Sequence, residues 1–145
     1  MTLLVICPIV AACTMPRWPV DGPFTSPYGL RWSGGPDLHR GVDVSVPTGT
    51  PVYAMSPGQV RFAGVMSGFG NVIWLDHGDE VLSVYAHLSS IEVVEGERVT
   101  RDTPIGLSGQ SGNASGPHLH FEVWRRGWEI DPVQVLGGFP KPGSP

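Results

Sequence analysis

The chain has 145 residues, which is the size of one domain with a single hydrophobic core, and we expect no second domain. Its formal charge is −4, its isoelectric point is near 5.6, and its nine lysines and arginines are scattered, so a nucleic-acid-binding surface is excluded. The 20 glycines and 15 prolines separate short apolar runs, which predicts many short strands joined by tight turns.

The first fifteen residues indicate export from the cytoplasm. Residues 3–12 are apolar apart from Cys7 and Pro8, a run too short to span a membrane but typical of a signal-peptide core. The run leads into VAAC, residues 10–13, which resembles the lipobox of bacterial lipoproteins, where the cysteine becomes the lipid-modified first residue. We therefore expect lipidation of Cys13, membrane attachment and a location in the periplasm or cell envelope. The alternative is a start codon inside a longer protein, with the run as the remnant of a membrane anchor.

The chain is accordingly divided into a signal-like segment (1–15), a folded domain (16–136) and a flexible tail of glycine and proline (137–145). Residues 20–31 carry glycine and proline at turn positions, which predicts a loop and a short strand. Residues 33–37 predict a flexible turn.

The run at residues 42–46 alternates, with three valines toward the core and Asp43 on the other face. His39 precedes Asp43 by four residues, but Gly41 and the β-branched valines argue against a helix there. We therefore expect a turn or bulge at residues 40–41 that brings His39 to the side of Asp43.

Four short strands are predicted next, at residues 51–55, 58–65, 70–76 and 81–88. In the last of them, alternation separates Leu82, Val84, Ala86 and Leu88 from Ser83, Tyr85 and His87. We expect the first set to face the core and the second to lie on a polar face. Tyr85 is then expected to line a substrate groove.

The remaining segments complete an all-β, mostly antiparallel domain with little helix. Residues 95–102 predict an exposed hairpin turn, and residues 104–107 a short strand. The glycine- and serine-rich loop at residues 108–116 has the composition of loops that line binding grooves, and we expect its Asn113 to contact substrate.

The segment GPHLHFEV, residues 116–123, carries the most informative pattern. As a strand it points three apolar side chains into the core and places His118, His120 and Glu122 on the opposite face. Imidazole is a common metal ligand and transfers protons near neutral pH. The alternative is that both rings are polar groups on a solvent-facing strand.

The five histidines and Asp43 together can supply three ligands of a catalytic zinc ion and leave a fourth position for water. Three segments, HRGVD (39–43), VYAHL (84–88) and GPHLHFEV, resemble the signatures of the lysostaphin-type, or LytM-domain, zinc metallopeptidases that cut peptidoglycan peptides. TSPYGLR (25–31) and IGLSGQSGNASGPH (105–118) extend the resemblance over nearly the whole domain.

The resemblance implies a small antiparallel sheet with a groove across its polar face. It implies that His39, Asp43 and His120 hold one Zn²⁺ per chain, and that His87 and His118 act on the bound water and the scissile carbonyl. Which of the two is the general base stays open. His77 has no ligand role in the family pattern and is expected to be structural.

The predicted function is that of a monomeric zinc endopeptidase that hydrolyses the peptide cross-links of bacterial peptidoglycan. The alternative is a non-catalytic LytM-type regulator that binds cell wall or activates another wall hydrolase. All five site positions carry competent residues, which favours the enzyme. Whether the bond is Gly–Gly or D-Ala to a diamino acid stays open.

Overall fold

The structure is a computed structural model that describes residues 15–32 and 35–139. Cys13 and the rest of the signal-like segment up to residue 14 lie outside the described residues, as do residues 140–145 of the predicted tail. Among the described residues, nothing helical has the length and apolar character that crossing a membrane requires.

Thirteen strands and one short helix form the regular structure of the described residues. In chain order they are β1 (Phe24–Ser26), β2 (Gly29–Trp32), β3 (Pro36–His39), β4 (Val42–Val44), β5 (Pro51–Tyr53), β6 (Gly58–Met66), β7 (Gly70–Asp76), β8 (Val81–Leu88), β9 (Ser90–Ile91), β10 (Arg98–Val99), β11 (Pro104–Leu107), β12 (Leu119–Arg125), β13 (Trp128–Ile130) and α1 (Pro132–Leu136). This confirms the predicted all-β class, and β7 and β8 have the predicted bounds. The flexible turn predicted at residues 33–37 is wrong from Pro36 onward, because that proline begins a strand paired with β2.

The strands form one large antiparallel sheet and two small ones. The large sheet has the order β1-β4-β12-β8-β7-β6-β10, and β13 pairs with the C-terminal part of β12. The strands β5, β11 and β9 form a second sheet, while β2 and β3 form a hairpin. The strand β12 therefore lies between β4, which carries Asp43, and β8, which carries His87.

The main core lies between one face of the large sheet and the three-stranded sheet. Alternation along β12 explains the division of its side chains. Leu119, Phe121 and Val123 are fully buried in this core, whereas His120 and Glu122 lie on the opposite face. The alternation predicted for this segment is confirmed.

From Ser83 to Ala86, alternation along β8 is the reverse of the prediction, whereas His87 and Leu88 lie on the predicted faces. Tyr85 is fully buried in the main core, where its ring centroid lies 5.3 Å from that of Phe121. Val84 and Ala86, expected in the core, pack in a smaller apolar cluster on the opposite face. The expectation that Tyr85 lines a substrate groove is therefore wrong, because its side chain points away from the face that carries His120.

The two ends of the described chain lie side by side on the domain. Trp18 packs edge-on against Phe121 at 6.1 Å between ring centroids, and its indole N–H donates to the Gly138 carbonyl oxygen at 3.1 Å. Phe139 packs against Phe24 with the ring centroids 5.1 Å apart. The chain thus stays in contact with the domain to Phe139.

A series of hydrogen bonds links His77 to the core. Its ring lies 2.9 Å from the Pro57 carbonyl oxygen at Nδ1 and 2.7 Å from the Ser83 hydroxyl at Nε2. The Ser83 and Tyr85 hydroxyls are 2.8 Å apart, and the Tyr85 oxygen accepts the backbone N–H of Met55. Because a carbonyl oxygen only accepts, Nδ1 carries the proton and the ring is satisfied in its neutral form. The network supports the structural role predicted for His77.

We expect His77 to make the free energy of unfolding depend on pH. Burial lowers the pKa of His77, although the Pro57 carbonyl and the Asp76 carboxylate oppose the shift. The unfolded chain, with an ordinary pKa of about 6.5, therefore takes up a proton before the folded protein does. The stability that the neutral His77 ring contributes to the folded protein is complete above about pH 6.5. It is lost as the pH falls through the folded-state pKa.

The measurement is urea denaturation in the presence of chelator between about pH 7.5 and 5, the range in which histidine titrates. Wild type should lose stability more steeply than His77→Gln as the pH falls. Parallel pH profiles of the two proteins would contradict a neutral buried ring.

Candidate metal centre

Three strands bring His39, Asp43 and His120 together on the face of the large sheet opposite the main core. Asp43 on β4 pairs directly with His120 on β12, and directly paired residues project to the same face. His39 ends β3, and the chain reaches β4 through Gly41, where a Cβ would lie 2.3 Å from the Phe121 carbonyl oxygen. Only glycine allows this close approach. The turn predicted at residues 40–41 thus brings His39 to the side of Asp43.

The three candidate ligand atoms form a triangle of the size that a zinc ion requires. His39 Nε2 lies 3.2 Å from Asp43 Oδ1, His120 Nδ1 lies 2.9 Å from the same oxygen, and the two nitrogens are 3.2 Å apart. Tetrahedral bonds of about 2.0–2.2 Å place neighbouring ligand atoms about 3.3 Å apart. The residues therefore fit one divalent ion.

Hydrogen bonds around the two imidazoles leave lone pairs facing the middle of this triangle. His39 Nδ1 donates to the Pro27 carbonyl oxygen at 2.7 Å, and His120 Nε2 donates to Glu122 Oε1 at 2.8 Å. Both rings thus present an unprotonated nitrogen to the Asp43 carboxylate, an arrangement that needs a cation or a proton at its centre.

The pKa values of the same groups reflect this demand for positive charge. Burial alone would lower the pKa of His120, but its hydrogen bonds to Asp43 and Glu122 raise the pKa to about 9. Burial alone would raise the pKa of Asp43, but the hydrogen bonds to His120 and His39 lower the pKa far below its usual range. The site is therefore built to attract a cation.

Glu122 is the carboxylate that orients His120. It is 1% exposed, and its two oxygens accept from His120 Nε2 at 2.8 Å and from Trp124 Nε1 at 2.7 Å. Its burial is that of an orienting carboxylate and excludes a plain solvent-exposed one. Such a partner fixes the ring and makes the opposite nitrogen a better ligand.

Two further imidazoles lie beside the triangle. The ring centroids of His87 and His118 are 4.8 Å apart, and that of His87 is 5.8 Å from that of His120. Each of the two rings donates Nδ1–H to a backbone carbonyl oxygen at 2.8 Å, which leaves Nε2 unprotonated as a proton acceptor requires. Burial lowers the pKa of His87 and keeps its ring neutral near neutral pH.

A bulge in β8 turns His87 toward this site. Between the pairs Asn71–Leu88 and Ile73–Tyr85, β8 has two residues where β7 has one. His87 occupies the bulge in a left-handed backbone conformation with a φ of 60°. The bulge breaks the alternation that would place His87 on the same face as Tyr85.

A pocket of 380 Å³ opens beside the triangle. Its lining consists of the five candidate site residues together with Arg31, Ser67, Gly68, Phe69, Asn113 and Ser115. In one wall, the Asn113 backbone N–H donates to the Gly68 carbonyl oxygen at 2.9 Å. Nearby, a Cβ on Gly70 would lie 2.4 Å from the backbone of Ser111, so the two loops of this wall are in close contact. Asn113 lies in the lining, and its contact with substrate stays a prediction.

Arg31 lies in the pocket although the sequence motifs give it no role. Its Nη2 is 3.3 Å from Asp43 Oδ2, the carboxylate oxygen that the imidazoles leave free. The pairing of β2 with β3 sets this position, and motif spacing does not reveal that pairing. The one feature of the sequence that points to Arg31 as a pocket residue is its place in the segment TSPYGLR, which is part of the family resemblance.

Comparison with known proteins gives consistent matches. The family model described as Peptidase family M23 matches residues 37–132. The chain is 38% identical over 118 residues to the DD-carboxypeptidase/endopeptidase Mpg of Neisseria meningitidis, covering 77% of this chain and 26% of that protein. It is 33% identical over 120 residues to the uncharacterized lipoprotein YgeR of Escherichia coli, covering 82% of this chain and 46% of that protein. The chain thus spans about a quarter to a half of the length of these curated relatives.

Two solved structures share the fold. A zinc-containing peptidase from Vibrio cholerae is 34% identical with a TM-score of 0.75, over 81% of this chain and 38% of that one. The catalytic domain of the antimicrobial peptidase lysostaphin from Staphylococcus simulans is 37% identical with a TM-score of 0.66, over 79% of this chain and 90% of that one. These similarities extend over most of the described domain.

We expect Glu122→Gln to weaken Zn²⁺ binding roughly tenfold to a hundredfold. The two oxygens of the carboxylate accept from His120 Nε2–H and Trp124 Nε1–H. A glutamine amide has only one acceptor atom for these two donors. One donor must then face an NH₂ group, and His120 loses its orientation. Competition with a fluorescent chelator measures the affinity.

The exposed Glu92 provides the matched control, Glu92→Gln, and thermal unfolding without metal shows whether each variant is folded. A folded Glu122→Gln variant with the wild-type affinity would show that Glu122 does not prepare the ligand.

Proposed function

The chain belongs to peptidase family M23, and on this basis we propose that it is a zinc-dependent endopeptidase that hydrolyses peptide cross-links of bacterial peptidoglycan. The membership confirms the resemblance seen in the sequence motifs. One observation carries the proposal: three potential ligand atoms converge on one point, with two further imidazoles beside them in the same pocket. The name of the relative Mpg supports a peptidoglycan peptide as the substrate.

In this proposal, His39, Asp43 and His120 hold the ion. Two imidazole nitrogens and one carboxylate oxygen with an open fourth position are a ligand set of catalytic zinc, and a solved relative is described as zinc-containing. When bound, the ion supplies a Lewis acid that polarises an amide carbonyl and makes water a nucleophile near neutral pH. Glu122 keeps His120 oriented for this role.

His87 and His118 carry the proton transfer in this proposal. One ring accepts at Nε2 the proton of the attacking water and returns it to the leaving amine nitrogen. The other, which takes a proton at Nε2 from solvent before the attack and returns it afterwards, donates a hydrogen bond to the negative charge that develops on the carbonyl oxygen. The neutral state that burial favours for His87 supports its use as an acceptor, and the geometry allows either assignment.

The test is hydrolysis of purified peptidoglycan by the purified chain at near-neutral pH, with and without chelator. We expect clearing that chelator removes and Zn²⁺ restores. His87→Ala and His118→Ala should each lose roughly 10²- to 10⁴-fold in activity while still binding Zn²⁺, because each lacks a proton-transfer group and keeps all three ligands. His120→Ala should lose both activity and Zn²⁺.

His77→Ala is the matched control, because His77 lies outside the pocket. Wild-type protein that binds Zn²⁺ and peptidoglycan but releases no peptide would contradict the enzyme and favour the non-catalytic regulator.

We further propose that the domain is exported and held at a membrane by a lipid on Cys13. A relative named as a lipoprotein supports this location. The backbone N–H of Arg17 donates to the Met55 carbonyl oxygen, so at most four peptide units, about 14 Å, separate Cys13 from the folded domain. Trp18 packs on Phe121, on the face of β12 opposite His120, which supports an anchor on the side of the domain away from the pocket.

Expression of the full chain in a Gram-negative host tests the anchor. Wild type should fractionate with membranes and incorporate a labelled fatty acid, whereas Cys13→Ser should do neither because it has no thiol to modify. Cys7→Ser is the matched control and should behave as wild type. Equal membrane association of all three proteins would contradict lipidation at Cys13.

A further inference from the structure

Arg31 is the one permanently charged cation among the described residues that line the pocket. The other polar lining groups outside the five site residues are the neutral side chains of Ser67, Asn113 and Ser115. An arginine is always protonated and offers five N–H donors in a planar fork that matches a carboxylate. A permanent positive charge beside the proposed hydrolytic centre therefore raises the question of which negatively charged group it binds.

The hairpin formed by β2 and β3 directs Arg31 to the pocket. Gly29 pairs with His39, and Arg31, two residues along the same strand, shares its face. Leu30 and Leu38 pair on the opposite face and are 74% and 51% exposed. The hairpin thus turns its charged side inward and leaves two leucines outside.

The side chain of Arg31 does not pair with the carboxylate directly opposite it in the hairpin. Asp37 pairs directly with Arg31 across the hairpin and is exposed, yet no Arg31–Asp37 ion pair forms within 4.0 Å in the described chain. The guanidinium instead reaches Asp43, and the side chain keeps 32% exposure at the pocket.

The protein does not saturate the guanidinium. The bond from Nη2 to Asp43 is long, at 3.3 Å, and it is the one side-chain hydrogen bond that Arg31 makes among the described residues. Within this part of the chain, Nε is buried without a partner, whereas Nη1 has no partner and is not buried, so the free donors that a ligand can reach are those of the Nη groups. Charge-assisted hydrogen bonds to a carboxylate are the strongest that such a group makes. Arg31 therefore retains capacity for an anionic ligand.

We propose that Arg31 binds a free carboxylate on the carbon attached to the scissile amide nitrogen, and so selects substrates of that class. This inference rests on the proposed function. Asp43 offers one oxygen to the metal-ligand triangle and the other to Arg31, so a single carboxylate separates the guanidinium from the candidate reaction centre. A carboxylate on that carbon is three bonds from the scissile carbonyl carbon, and this short separation matches the position of Arg31.

The class includes an amide from D-Ala to the amino-bearing carbon of a diamino dicarboxylic acid, and a C-terminal dipeptide. It excludes a Gly–Gly bond inside a bridge and an amide on a lysine side chain, because neither has a carboxylate at that carbon. Arg31 therefore distinguishes between cross-links that the sequence motifs leave equivalent.

The experiment compares two acetylated peptides with D-Ala on the carbonyl side of the scissile bond. They differ only in the next residue, which carries either a free α-carboxylate or the corresponding carboxamide. For wild type we expect kcat/KM to be roughly tenfold to a hundredfold higher for the carboxylate, from a charge-assisted bond that the amide lacks. Arg31→Gln should remove this preference, and Arg31→Lys should retain part of it.

Arg61→Gln is the matched control, because Arg61 forms an ion pair with Asp76 at 2.8 Å outside the pocket. It should keep the wild-type preference. Binding of both peptides to His118→Ala, with and without the Arg31 substitution, provides a readout without turnover, and Zn²⁺ affinity shows whether Asp43 is disturbed.

The outcomes separate the inference from the proposed function. If Arg31→Gln lowers kcat/KM equally for both peptides, Arg31 only positions Asp43 and the inference is overturned. If wild type hydrolyses both peptides equally, the inference is overturned while the proposed function stands. If wild type hydrolyses neither, the proposed function fails, and the ratio of the two binding constants decides whether Arg31 recognises the carboxylate.

Discussion

The register of β12 between β4 and β8 is the constraint on which the site depends. It places Asp43 opposite His120 and Ala86 on the other side of His120, so one row across the sheet carries two candidate ligands. Because side chains alternate along a strand, a slip of one residue would turn His120 into the core and Phe121 toward the pocket. The fully buried Phe121 and the close contact at Gly41 both resist that slip. Core packing thus fixes the positions of the polar residues.

The same arrangement concentrates negative charge and lone pairs in a poorly solvated place. Asp43 and Glu122 both contact His120, and Glu122 is almost fully buried. Buried charges without partners are destabilising, so the site needs a proton or a cation that bridges its acceptors. A cation that binds the folded state but not the unfolded chain therefore raises the free energy of unfolding. The unfavourable electrostatics of these converging acceptors would thereby be offset by a bound cation.

Much of this could be predicted from sequence, and the failures have a common physical cause. The alternation of β12 and the strands at residues 70–76 and 81–88 follow from local pattern, which depends only on neighbouring residues. Tyr85 was misplaced because a bulge changes which face a residue occupies without leaving a mark in the pattern. Arg31 was missed because its position depends on which strand pairs with β2. Pairing and bulges are tertiary features that short motifs do not encode.

The bulge also means that the backbone positions of the pocket residues are fixed in two different ways. Asp43 and His120 lie on a regular ladder, whereas His87 occupies a left-handed conformation that costs a non-glycine residue about 1–2 kcal/mol. That conformation is held by bonds from His87 Nδ1–H to the Ser111 carbonyl and from its backbone N–H to the Phe69 carbonyl, both in loops that form the pocket wall. A change in these loops therefore moves His87 and the wall together while leaving Asp43 and His120 in place. The fold thus couples the position of His87 to the shape of the pocket, and it separates both from the three candidate metal ligands.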